Sequence, residues 1–318
     1  MEVISMPMWA WILFYALVIV MLYADLKLFG RKGQHEVSIS EALKMTAVWI
    51  IVSLIFCGGI WFYEGIDKAE EFLAGYLIEK SLSMDNLFVF LMLFSFFGVQ
   101  RKYQHEVLFW GIFGALVLRS VFIFAGAAMV QRFEWILGVF GVFLIYTGIK
   151  MFSHKDDESV DPSKNIFVKL FKKYFPVTDQ MHEDKFFIIE NGKRLATPLF
   201  IALLVIETTD VAFAVDSIPA VFSVSRDPFI VLTSNIFAIL GLRALYFALA
   251  AIAKYFAYLK YGLGIILSFV GVKMLLEVLP APLHYEVRTP ISLLIIFGVL
   301  VLSMLASYVA TLYNRKRQ

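Results

Sequence analysis

Two short stretches of the chain place charged side chains inside otherwise apolar segments. One reads Glu79-Lys80-Ser81-Leu82-Ser83-Met84-Asp85-Asn86; the other runs from Glu207-Thr208-Thr209-Asp210 to Asp216-Ser217-Ile218-Pro219. Glu79 and Asp85 lie six residues apart, as do Asp210 and Asp216. Arg119 and Arg243 occupy the middle of two further apolar segments. Carboxylates supplemented by Asn86, Asn235 and hydroxyls form a hard oxygen donor set, suited to Mn²⁺, Ca²⁺ or Mg²⁺. Zn²⁺ and Cu⁺ prefer imidazole or thiolate, whereas His35, His105, His154, His182 and His284 all fall in connections or at their edges. Met84 beside Asp85 could add a soft donor and favour Mn²⁺ over Ca²⁺; methionine at such a position is more commonly packing.

The cost of these acids argues that they are compensated. A charge at the centre of a spanning helix costs about 2.5–3.5 kcal/mol on insertion scales, so five unpaired acids would cost on the order of 12–17 kcal/mol. The five are Glu79, Asp85, Glu207, Asp210 and Asp216, and Lys80, Arg119 and Arg243 can offset three of them. A divalent cation would close the remaining balance, and bound protons could do the same. The arginines read as counter-ions rather than ligands, with Ser217 as a further polar neighbour. Residues six apart on a regular helix point about 240° apart. Each acid pair therefore serves different partners, or its helix is interrupted. Pro219 would free a backbone carbonyl near Asp216, and Ser81 and Ser83 could distort the other stretch. A plain proline kink with ion-paired acids is the simpler version.

The elements that must position these groups follow from composition. Of 318 residues, 60% are hydrophobic and 32 are Phe, against roughly 45–50% apolar in soluble domains. A globular core cannot bury that much apolar surface, so lipid must be the solvent. Nine apolar segments stand near 9–29, 45–63, 72–98, 107–131, 134–150, 197–223, 229–253, 260–279 and 290–313, each near the roughly 20 residues a spanning helix needs. The first lacks a basic leader and a small-residue cleavage site, so it reads as a permanent span. Twenty Lys and Arg fall on one set of connections and only Lys68, Arg132, Arg226 and Arg288 on the alternate set. That asymmetry predicts an outside N-terminus and a cytoplasmic C-terminus. The single cysteine, Cys57, excludes a disulfide within the chain.

The sequence also repeats itself. Phe140-Gly141 is followed by Gly148-Ile149-Lys150-Met151, and Leu263-Gly264 by Gly271-Val272-Lys273-Met274. Arg119 precedes Lys150 by 31 residues and Arg243 precedes Lys273 by 30. With the acid pairs, spans three to five match spans six to eight. Three is odd, so the copies are inverted, a plan of secondary transporters that bind cargo near the midplane. The expected fold is therefore all-α: a polytopic membrane protein with nine transmembrane helices and an inverted 3+3 repeat. It divides into two N-terminal helices (1–66), the first repeat (67–151), a cytoplasmic loop (152–196), the second repeat (197–280) and a last helix with a basic tail (281–318). In the loop, Ile166, Phe167, Leu170, Phe171 and Tyr174 share one face of an interfacial amphipathic helix over 165–175. Asn191-Gly192 marks a small hairpin with a type I′ turn. Asp179, His182, Glu183 and Asp184 read as solvated linker rather than a metal sensor.

These motifs resemble the TerC family over nearly the whole chain. The match rests on Glu79-Lys-Ser-Leu-Ser-Met-Asp85-Asn86 and Asp210-Val-Ala-Phe-Ala-Val-Asp216-Ser217-Ile-Pro219. The long loop and nine spans are similar to its Alx-type bacterial members. The resemblance implies a multi-pass bacterial inner-membrane protein of the LysE-like transporter group, associated with manganese efflux and, by the family's name, tellurium resistance. It also implies that Glu79, Asp85, Asn86, Glu207, Asp210 and Asp216 form the ion pathway, supported by Lys80, Met84, Arg119, Ser217, Asn235 and Arg243. The expected activity is Mn²⁺ export by alternating access, with protons as a candidate exchanged ion. The expected partners are the cation and the bilayer, with no resident cofactor and no nucleic acid. An accessory protein supplying metal to secreted enzymes, or a tellurite-associated membrane protein, is the alternative. No His-Glu-x-x-His or Gly-x-Gly-Asp motif of an intramembrane protease occurs.

Overall fold

The computed structural model describes residues 6–30, 39–133, 135–153, 166–178, 180, 182, 185–190, 192–252, 259–279, 285 and 287–315. The side chains of residues 28–30, 85, 88, 131, 153, 251–252, 259–260 and 311–315 are also outside the description. The bundle is almost wholly helical: α1 (Met8–Gly30), α2 (Ile39–Glu64), α3 (Ile66–Phe96), α4 (Arg101–Arg132), α5 (Trp135–Ser153), α6 (Ile166–Tyr174), α7 (Pro198–Phe222), α8 (Pro228–Leu240), α9 (Leu242–Ile252), α10 (Leu259–Val278) and α11 (Thr289–Arg315). A two-stranded antiparallel hairpin, β1 (Phe187–Glu190) with β2 (Lys193–Ala196), lies between α6 and α7. Its turn carries Gly192 at φ 75°, where an L side chain would be strained. Asn191 and the linker acids Asp179, Glu183 and Asp184 lie outside the described residues.

Every expected apolar segment is helical over most of its described residues, but not all are alike. Among the described residues, seven helices are long and apolar enough to cross a membrane, and the α8–α9 pair, bent by 41°, brings the number to eight. The 31-residue α3 is long enough, but Glu79, Lys80 and Asp85 keep it out of that apolar class. The seventh segment, expected as one span over 229–253, is broken at Gly241. A Cβ there would stand 2.9 Å from Lys80 Nζ and 3.1 Å from Trp49 Cβ, so glycine lets two neighbours close on the break. The interruption thus falls in α8–α9. The two acid-bearing helices α3 and α7 run unbroken, with Pro219 confined to the last turn of α7.

Packing is graded from centre to rim. All thirteen residues of α8 are buried, and α8 packs on α3 and α4. α3 is further enclosed by α2, α7 and α11. At the rim, Ile12 of α1, Phe62 of α2 and Leu294 of α11 are exposed apolar side chains, a surface that lipid rather than water must cover. α5 and α10 form the closest helix pair. A Cβ on Gly141 would fall 2.8 Å from Gly271 O, and one on Gly264 would fall 2.9 Å from Gly148 O. The first repeated glycine of each helix therefore meets the second of the other, and the two helices run antiparallel. α6 does not lie with its whole apolar face outward. Val168 is buried and the ring of Phe171 packs at a tilt against Phe200 of α7 at 5.1 Å, while Ile166, Phe167, Leu170 and Tyr174 stay exposed.

Candidate ion site

The buried polar centre is built from four helices. α3 supplies Glu79 and Ser83, α4 supplies Arg119, α7 supplies Asp210 and Ser217, and α8 supplies Asn235. Arg119 is fully buried and its guanidinium grips Asp210 with two parallel bonds: Nη2 to Oδ1 at 2.9 Å and Nε to Oδ2 at 3.2 Å. Its Nη1 donates to Glu79 Oε1 and lies 3.4 Å from both Ser217 Oγ and Asn235 Oδ1. Glu79 Oε1 also accepts from Ser83 Oγ at 3.0 Å, and Oε2 from Asn235 Nδ2 at 2.8 Å. The planar fork of arginine matches carboxylate geometry, which makes it suited to joining two acids in a dry site.

The remaining acids stand apart from this bridge. Asp216, half-buried, accepts a 3.4 Å hydrogen bond from Thr147 Oγ1 of α5. It lines a cavity of about 380 Å³ between α3, α5, α7 and α10, together with Asn86, Thr147 and Lys150. Asp210 and Asp216 thus serve different partners from one unbroken helix, as their angular separation requires. Glu207 lies one turn before Asp210, and its carboxylate packs against Gly114 of α4 so closely that any side chain at that glycine would collide with it. Its Oε2 is buried with no hydrogen-bond partner. Met84 is half-buried on α3. The side chain of Asp85 lies outside the described residues. Among the described residues, no three His, Cys, Asp or Glu side chains are gathered as a metal cluster. The five expected ligands whose side chains are described are therefore divided among a bridge, a cavity and a niche.

Two of the three expected counter-cations go elsewhere. Lys80 Nζ donates to Ala238 O at 3.1 Å, in the last turn of α8. A cation at a helix C-terminus satisfies such a carbonyl and complements the dipole. Arg243 Nη1 pairs with Asp25 Oδ2 of α1 at 2.9 Å, both side chains buried. Asp25 was not among the sequence candidates. Its signal was an acid inside the first apolar segment, hidden by nearness to the basic connection that follows. Thr147 and Lys150 were also missed as lining groups, although Lys150 belongs to a repeated motif. A second, polar cavity of about 530 Å³ opens at the opposite end of α7 from the hairpin, lined by Lys68, Glu71, Ser225, Asp227, Lys273 and Glu277. The two repeated lysines, Lys150 and Lys273, therefore line different cavities.

A helical bundle with this many apolar spans and a salt-bridged carboxylate pair at its core is a multi-pass integral membrane protein. More particularly, the chain belongs to the TerC family of integral membrane proteins, whose model matches residues 64–317. It is 48% identical over 300 residues to "Uncharacterized membrane protein STKORF319" of Myxococcus xanthus, covering 94% of this chain and 92% of that one. It is 45% identical over 313 residues to "Putative membrane-bound redox modulator Alx" of Escherichia coli strain K12, covering 96% and 95%. The Salmonella typhi protein of the same name is 46% identical over 312 residues, covering 96% and 95%. No solved structure matches the chain.

Proposed function

We propose that the chain exports a divalent cation, Mn²⁺ first among them, through a site where two inverted three-helix repeats meet. The observation that carries this reading is the convergence of Glu79 and Asp210, equivalent positions of the two sequence repeats, on one buried point. Two further facts support it. The glycine exchange between α5 and α10 has the reciprocity of a two-fold axis, and hard oxygen donors surround the acids. In this reading α3 is the ninth span, the N-terminus is outside, the C-terminus is cytoplasmic, and the membrane is the bacterial inner membrane. Glu79, Asp85, Asn86, Glu207, Asp210 and Asp216 form the pathway, with protons as the exchanged ion. Mn²⁺ rather than Ca²⁺ or Mg²⁺ rests on the family resemblance. The redox name of the Alx relatives is taken as an indirect effect of metal handling, because Cys57 is the single cysteine and a thiol pair within the chain is ruled out.

The test is Mn²⁺ uptake into everted membrane vesicles containing the full chain. The Asp85→Asn, Asp216→Asn double variant keeps Glu79, Asp210 and Arg119 and is expected to abolish uptake while the protein still folds. Wild-type uptake by that variant would remove the pathway assignment.

A further inference from the structure

We infer that the Glu79–Asp210 pair is a cation seat which Arg119 fills in the present conformation, and that loading a divalent ion requires the guanidinium to leave it. This deepens the export reading and rests on it.

All four carboxylate oxygens of the pair are engaged. Asp210 gives both of its oxygens to Arg119; Glu79 gives one to Arg119 and Ser83 and the other to Asn235. A metal ion cannot enter while those bonds stand, because the guanidinium occupies the space between the carboxylates. Once it leaves, the same oxygens face a common point, joined by the hydroxyls of Ser83 and Ser217 and by Asn235 Oδ1. The last two already lie 3.4 Å from the Nη1 cation. Mn²⁺ and Mg²⁺ take about six hard oxygens and Ca²⁺ about six to eight. The charge is also suited to exchange: two carboxylates against one guanidinium leave a net negative charge, and a divalent ion neutralises the pair completely.

A buried arginine must find another acid when it moves. Glu207 provides one along the same α4–α7 seam. It lies one turn before Asp210, its carboxylate rests against Gly114 of α4, and its Oε2 has no hydrogen-bond partner. Arg243, at the position equivalent to Arg119, is held away from the seat by Asp25. One guanidinium thus occupies the seat, and the protein's own side chain competes with cargo for it.

The experiment is Mn²⁺ binding to the purified full chain in nanodiscs, comparing wild type with Arg119→Lys and Arg119→Gln. A lysine retains the charge but cannot form the two-bonded fork, so it competes less well. Arg119→Lys is expected to bind Mn²⁺ about tenfold tighter than wild type, and Arg119→Gln tighter still, while both slow uptake because the ion is no longer expelled. Folded variants with equal or weaker binding would overturn the inference and make Arg119 a fixed strut. If the variants fold only when prepared with millimolar Mn²⁺, the ion has replaced the guanidinium and the inference stands; failure to fold with or without Mn²⁺ overturns it. Wild-type binding with no gain in the variants removes this inference alone. Absence of binding in wild type and variants alike removes the export reading.

Discussion

The two buried arginines hold equivalent positions in the sequence repeat, yet they do different work. Arg119 joins helices of both repeats, with a bidentate grip on Asp210 and a bond to Glu79. Arg243 turns outward from the repeats to one oxygen of Asp25 on α1, whose other oxygen has no hydrogen-bond partner. The difference teaches that repeated sequence sets where a charge is placed along a helix, but not what it meets. The central carboxylates accept one guanidinium, and a helix outside the repeats supplies an acid for the other. The α5–α10 seam behaves in the opposite way, because there the first repeated glycine of each helix meets the second of the other, so the two contacts are reciprocal. Asymmetry at the arginines and symmetry at the seam coexist in one bundle.

The largest effect should come from breaking the Arg119 bridge. Arg119→Gln leaves two buried carboxylates facing each other, and metal-free stability in detergent should fall by about 3–5 kcal/mol, read by thermal or denaturant unfolding. The Arg243 side should be weaker: Asp25→Asn should cost about 2 kcal/mol and leave Mn²⁺ binding intact. Equal losses on the two sides would show that the arginines are energetically equivalent despite their geometry. At the seam, Gly141→Ala and Gly264→Ala should each cost about 1–3 kcal/mol by overpacking. Because these two glycines hold equivalent positions and make matching contacts, their unfolding midpoints should match closely; a loss confined to one of them would mean the seam is not symmetric. The smallest effect belongs to Lys68→Gln. Its pairing with Glu71 at 2.9 Å is partly exposed, so stability should change by less than about 1 kcal/mol and uptake should be unaltered.

The helices were largely legible before the structure. The segment read at 9–29 is α1 at Met8–Gly30, that at 197–223 is α7 at Pro198–Phe222, and the loop helix read at 165–175 is α6 at Ile166–Tyr174. Apolar runs and basic flanks report local chemistry, and local chemistry sets helix boundaries. The bend at Gly241 was not legible, because a single glycine in a long, mostly apolar run does not by itself mark a break. The break follows from Lys80 and Trp49 approaching the backbone from other helices. The charge balance failed for the same reason. Lys80 and Arg243 looked like counter-ions to the central acids, but Lys80 serves the carbonyl of Ala238 and Arg243 serves Asp25.

By itself, the sequence determined that the protein lives in lipid, which segments are helical, that its acids recur at matched positions, and that the polar side chains beside them carry oxygen rather than imidazole or thiolate. Those properties depend on composition and spacing, which neighbours in the fold do not alter. Only the tertiary structure decided that Glu79 and Asp210 share Arg119, that Asp216 turns to Thr147 and a cavity, and that Glu207 rests against Gly114. A buried charge is stabilised by whichever partner lies within a few ångströms, and in a helical bundle that partner comes from a different helix, far away in the chain.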